Sequence, residues 1–198
     1  AVTDVNNDDG LDPNIYGTVN VKDWYYQENN NIFNLTGYHG AYNHIILPNL
    51  NDFNNAGVNV NGATGVGITS NVLHGILCDA KNPDADLNLA ISKTTGIYND
   101  KVIAENENWA GVFCPYNLTY ENGKPVLRGT NQFTLVNADL SNLDTNKVTN
   151  IAYLFNNQNK LQTVSGLNNW NTSKVTDMSS VFGACWALNN VGDLSSWD

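Results

Sequence analysis

Apolar and polar positions in the last third of the chain recur together every 27 residues. Leu140, Leu167 and Leu194 share one register, and Leu143, Trp170 and Trp197 share another. Thr145/Thr172, Lys147/Lys174, Val148/Val175, Thr149/Thr176, Ile151/Met178, Phe155/Phe182, Leu161/Leu188 and Val164/Val191 keep the same spacing. Each copy is then one supersecondary unit that buries its apolar face against its neighbours. Val175, Met178, Val181 and Phe182 lie at i, i+3, i+6 and i+7, which predicts two helical turns. Thr172, Ser173 and Thr176 would cap them and Gly183 would end them. Leu188, Val191 and Leu194 then begin an extended stretch, giving helix, turn and short strand per coil, stacked on a parallel sheet. The chain stops at Trp197-Asp198, just inside a third copy, so the pattern predicts further copies in a longer parent.

Residues 14–130 show no internal repeat. Strand-like runs occur at Ile32–Leu35, His44–Leu47, Gly67–Thr69 and Leu87–Ile91, with turns at 37–40 and 48–51. Asp52–Gly57 reads as one helical turn ended by glycine, and Glu121-Asn-Gly-Lys124 as a tight turn. No Pro/Ser-rich linker separates this region from the repeats.

Composition agrees with strands and turns. Only 14% of residues are charged, and polarity comes from 36 asparagines, which tolerate left-handed backbone and bond their own chain in turns. The formal charge of -10, from 9 cations against 19 carboxylates, argues against nucleic acid, which needs a basic stripe. The cations are scattered, so no polybasic membrane patch exists, and no apolar run reaches transmembrane length. Three cysteines allow at most one disulfide. In an extracellular chain Cys78–Cys114 is the favoured pair, because Cys185 falls inside the repeat; the alternative is three small buried side chains.

Trp170-Asn-Thr-Ser-Lys-Val-Thr-Asp-Met178, Phe182-Gly-Ala-Cys185 and Leu194-Ser-Ser-Trp-Asp198 resemble the repeat of the BspA-like leucine-rich-repeat surface proteins of Gram-positive, lactic-acid-type bacteria. The earlier copy keeps Leu143-Asp-Thr and Val148-Thr-Asn-Ile151 but carries Leu143 for the tryptophan and Gln158 for the cysteine, as a degenerate first repeat would. The resemblance covers residues 139–198. It implies a cell-wall-anchored adhesin exposed outside a bacterial cell, contacting host glycans, mucus or matrix protein. It supplies no ligand residues.

Candidate chemistry outside the repeat is sparse. His39, His44 and His74 lack a His-x-x-x-His metal spacing, and neither a nucleophile elbow nor a phosphate loop is present. A Cys–His pair formed in space from Cys78 or Cys114 stays open. Asp4, Asn6, Asp8 and Asp12 alternate as calcium-loop oxygens do, although Asp9 intrudes before Gly10 and the distal Glu is missing. A solvated acidic tail is the competing reading. Trp24-Tyr25-Tyr26 and Tyr38-His39-Gly-Ala-Tyr42 concentrate aromatic rings of the kind that contact sugars, so Trp24, Tyr25, Tyr26, Tyr38, His39 and Tyr42 are the candidate ligand residues. Alternatively Trp24 and one tyrosine plug the end of the stack, since a strand sends only every second residue outward.

The expected fold is α/β: an acidic tail (1–13), a β-rich capping and adhesion region (14–130), and the start of a leucine-rich-repeat-like solenoid (131–198) with short helices and a parallel sheet. The expected function is a monomeric, non-enzymatic adhesin fragment without a cofactor, binding a host or mucosal glycan or a matrix protein. Its acidity predicts that binding to a glycosaminoglycan strengthens in acid, as carboxylates lose charge. The alternative is a structural cap with no ligand of its own.

Overall fold

A computed structural model describes residues 10–79 and 85–197. Among them the chain forms helices α1 (Pro13–Tyr16), α2 (Leu50–Asn55) and α3 (Ser70–Cys78) and strands β1 (Trp24–Asn29), β2 (Ile32–Tyr38), β3 (His44–Leu47), β4 (Gly65–Ile68), β5 (Asp86–Ile91), β6 (Val102–Ala104), β7 (Asn117–Glu121), β8 (Lys124–Arg128), β9 (Thr134–Asp139), β10 (Leu143–Asp144) and β11 (Thr163–Ser165). The architecture is mixed α/β, dominated by sheet. One sheet runs β10-β6-β4-β2-β1 and the other β11-β9-β5-β3, while β7 and β8 form a separate hairpin. Every pairing in the two large sheets is parallel except β1 with β2, at one edge.

From β2 to β6 the chain adds strands to the two sheets alternately, and β9, β10 and β11 continue the alternation after the hairpin. The reason lies in inward columns of apolar side chains. Phe33, Val66, Val102 and Leu143 are in register across the first sheet, and Ile45, Leu89, Ala138 and Val164 across the second; all eight are buried. Both columns join one continuous core. An outward column on the second sheet is polar instead. His44, Asn88, Asn137 and Thr163 are in register there, Asn137 Nδ2 donating to Asn88 Oδ1 at 3.0 Å and Thr163 Oγ1 to Asn137 Oδ1 at 2.7 Å. Beside it Leu11 and, from α1, Tyr16 cover Ile46 and Ala90.

The repeat appears as recurring hydrogen bonds and stacked rings. Trp170 Nε1 donates to Leu140 O at 3.0 Å, and Trp197 Nε1 repeats the bond to Leu167 O at 2.7 Å. Phe113, Phe155 and Phe182 stack with centroids 5.1 and 5.7 Å apart and planes within 17°. Gln158 Nε2 donates to Phe113 O, and Cys185, one repeat on, sends its thiol to Phe155 O.

Two expectations are corrected. No helix forms over 175–182. Left-handed Ser180 (φ 53°) breaks the turns, and the carbonyls of Asp177, Ser179 and Val181 accept from Ile151, Tyr153 and Phe155 of the preceding coil rather than from an i→i−4 ladder. The stacking pattern also reaches further upstream than the letters do. Asn108, Asn150 and Asp177 bridge in parallel, each side chain accepting from the amide two residues on. Gly111, Tyr153 and Ser180, three residues further, all have positive φ (68°, 59° and 53°). Residues 108–111 therefore share the backbone pattern of 150–153 and 177–180.

The runs at 32–35, 44–47, 67–69 and 87–91 meet β2, β3, β4 and β5, and 52–57 overlaps α2, whereas the turns expected at 37–40 and 48–51 overlap the end of β2 and the start of α2. The turn at 121–124 joins β7 to β8, with left-handed Asn122 and Gly123 at its centre.

Candidate functional site

The aromatic candidates divide into core and surface. Trp24 begins β1 and points inward at 4% exposure, its Nε1 donating to Ile46 O at 3.1 Å. Tyr38 ends β2, packs on Trp24 at 4.8 Å and donates its hydroxyl to Ala41 O at 2.7 Å. Burial, with Asp23 and Tyr42 nearby, pushes its hydroxyl up to about 12. Trp24 and Tyr38 are therefore core residues, and their place in the expected ligand set is corrected: neither presents a ring to solvent. Tyr42 is half-buried, its ring edge-on to Tyr38 and its hydroxyl donating to Tyr38 O at 3.3 Å.

Tyr25 is different. It is 59% exposed, and its Cδ2 lies 3.2 Å from where a side chain on Gly37 would begin. A β-carbon at 37 would crowd the ring, so the glycine leaves the space it occupies. The exposed His39 ring stands against it, centroids 4.7 Å apart. The pairing slips between Tyr25 and Tyr26, which breaks strict alternation and leaves Tyr26 exposed as well (37%), leaning on Phe33 and Phe53. Tyr25 and His39 thus form an aromatic platform on the edge hairpin.

A second feature is a Cys–His pair formed in space from Cys78, the possibility that the sequence leaves open. A pocket of about 240 Å³ is lined by Ser70, Asn71, His74, Asn108, Asn117 and Leu118, among others. Thr69 caps α3 through Val72 N, and Leu73, Ile76 and Leu77 bury its apolar face. That arrangement leaves His74 and Cys78, one turn apart, on a half-buried flank. His74 Nδ1 lies 2.9 Å from Val112 O, Nε2 3.1 Å from Asn117 Oδ1, and the Cys78 thiol 3.4 Å from Nε2. Burial, with Asp79 and Cys114 adding to it, pushes the Cys78 thiol up to about 11, so it stands protonated at neutral pH. This is a hydrogen-bonded thiol and imidazole, not a thiolate nucleophile. Its sequence signal was the capped apolar run Val72-Leu73…Ile76-Leu77, which puts residues 74 and 78 on one face.

The remaining candidates are elsewhere. Asp12 caps α1, accepting from Asn14 N at 2.9 Å, while Asp4, Asn6 and Asp8 lie outside the described residues. Cys78, Cys114 and Cys185 are free thiols, Cys114 fully buried and the other two half-buried, in line with the reading of unpaired small side chains rather than a Cys78–Cys114 bridge. Burial pushes the Glu105 carboxyl above its usual range against the pull of Lys147. Its Oε1 lies over Gly67 with no hydrogen-bond partner. No helix among the described residues is long and apolar enough to cross a membrane.

Residues 126–198 match the family described as "Mycoplasma protein of unknown function, DUF285". No curated protein and no solved structure matches the chain.

Proposed function

We propose that this chain is the ligand-facing part of a bacterial cell-surface adhesin. In this reading a β-rich cap runs into a leucine-rich-repeat-like solenoid of the BspA-like type and binds a host or mucosal glycan. Three features support the solenoid. Strands alternate between two parallel sheets, side-chain bonds recur one repeat apart, and the family match begins close to where the regular coils do.

The observation that carries the glycan reading is the Tyr25–His39 platform. An aromatic ring fixed at the surface costs little ordering entropy on binding, and its π-face packs against the C–H face of a sugar while nearby hydroxyls and imidazole meet the sugar's polar rim. The formal charge of -10 opposes sulfated or sialylated polymers at neutral pH. Protonation of carboxylates toward pH 4 removes that repulsion, so adhesion strengthens in acid. A panel of neutral, sialylated and sulfated glycans, incubated with the full chain at pH 4 and pH 7, tests this. The expected result is binding to at least one glycan, with anionic members bound better at pH 4. Absence of binding to the whole panel at both pH values defeats the glycan reading. Equal binding of anionic members at both defeats its acid dependence.

A second reading, a structural cap without a ligand, is favoured by one observation. Antiparallel β1 closes the edge of an otherwise parallel sheet, anchored by buried Trp24. That role would hold with or without a ligand on Tyr25.

A further inference from the structure

We propose that His74, Cys78 and Asn117 form a binding site for one soft or borderline divalent cation, of the kind that takes imidazole and thiolate together. Val112 O can only accept, so Nδ1 of the neutral His74 ring carries the proton and Nε2 presents its lone pair. Asn117 Oδ1 and the Cys78 sulfur face that same nitrogen, at 3.1 and 3.4 Å. Three lone-pair atoms converge, with a single thiol proton among them. A cation bound there takes the place of these contacts, and the Cys78 thiol proton is released to solvent as the sulfur becomes a thiolate ligand.

The distances fit an ion. A tetrahedral zinc-type centre, with metal–nitrogen bonds near 2.0–2.1 Å and metal–sulfur near 2.3 Å, sets nitrogen and sulfur about 3.5 Å apart. The observed 3.4 Å needs almost no adjustment, and the 3.1 Å to oxygen only a few tenths of an ångström. The bond from His74 Nδ1–H to a main-chain carbonyl is the support that ligating histidines commonly have, because it fixes the ring and the tautomer. The fourth position opens into the pocket that His74 and Asn117 line, where water or a ligand oxygen can complete the shell.

The field favours a cation too. Cys78 is the last residue of α3, where the helix carbonyls carry partial negative charge, and Asp79 follows it. Among the described residues no lysine or arginine lines the pocket. Among the described residues no three His, Cys, Asp or Glu side chains converge. The third protein donor is therefore an amide, which weakens the site relative to an all-anionic one and leaves it exchangeable. The same side chains could instead serve only to tie α3 to the β7–β8 hairpin, and metal titration separates the two.

The experiment titrates the full-length, reduced chain with Co²⁺ alone and then adds Zn²⁺. The expected result is a thiolate-to-cobalt charge-transfer band that saturates at one equivalent and vanishes when zinc displaces cobalt. Cys78→Ser removes the band, and Cys114→Ser and Cys185→Ser keep it. Asn117→Ala, at an exposed position that leaves the core untouched, weakens cobalt binding at least about tenfold while thermal unfolding without metal is unchanged. A wild-type chain without the band overturns the proposal. So does a band that survives Cys78→Ser, one that needs Cys114 or Cys185, or one indifferent to Asn117→Ala.

Discussion

Phe155→Ala lowers the stability of the chain by about 3–5 kcal/mol, the range for deleting a fully buried phenylalanine. Phe155 is 0% exposed and lies between Phe113 and Phe182, nearly parallel to both. Truncation leaves a cavity that neither neighbour can fill, because each belongs to a different coil whose backbone is fixed by its own ladder. Phe155 N donates to Val181 O and Phe113 N to Leu154 O, so collapse into the void would break main-chain bonds on both sides. In thermal unfolding the loss reads as a fall in Tm on the order of 10 °C for a chain of this size. A fall of only a degree or two would mean that the coils are not coupled through the ring stack.

Gly166→Ala has the second large effect, by a different mechanism. Gly166 follows β11 with φ 90°, and a β-carbon there would lie 2.3 Å from the backbone N and Cα of Ser141 in the preceding coil. Backbone cannot swing aside as a flexible side chain can, so the substitution forces coils apart or abandons the left-handed turn. The left-handed penalty of about 1–2 kcal/mol and overpacking of about 1–3 kcal/mol add to a loss of roughly 2–5 kcal/mol. Gly57→Ala is the internal control: its φ is 85°, but nothing lies within 4 Å of the new atom, so only the conformational penalty remains. Urea unfolding of the two variants measures the difference. Equal losses would show that the close approach of coils at Gly166 carries no energy.

Both effects arise between coils, and that is also the level at which the sequence is least legible. The 27-residue register, the four strand runs and the 121–124 turn can be read locally, because period-2 burial and turn residues are local signals. The shared backbone pattern at 108–111 is hidden. It stands 42 residues before its partner at 150 rather than 27, with the β7–β8 hairpin intervening. Gly111, Tyr153 and Ser180 share a backbone conformation and no chemistry, so letters cannot align them. The helix expected over 175–182 failed for a related reason. An i, i+3, i+7 pattern records which side chains point inward, and left-handed turns that hand their carbonyls to the preceding coil can satisfy it too.

The aromatic surface shows the same limit at finer scale. Ideal alternation along β1 would bury every second residue, whereas the slip at Tyr25/Tyr26 exposes both tyrosines beside a buried Trp24. The sequence brings these aromatic residues together as a group and does not separate the buried anchor from the exposed rings. The His74–Cys78 pair required α3 to be recognised as a helix. It further needed Asn117, brought in from the hairpin 43 residues on, which no local pattern reports.

The account centres on Tyr25 as the contact for a glycan, and one comparison tests it most directly. Wild type, Tyr25→Ala and Tyr120→Ala are measured at equilibrium against whichever glycan the wild-type chain binds best. Tyr120 is likewise exposed (45%), but on the β7–β8 hairpin, away from the platform. Tyr25→Ala is expected to weaken binding at least about tenfold, a loss of roughly 1.4 kcal/mol, with Tyr120→Ala within twofold of wild type and both variants folded. Undiminished binding by folded Tyr25→Ala would contradict the account.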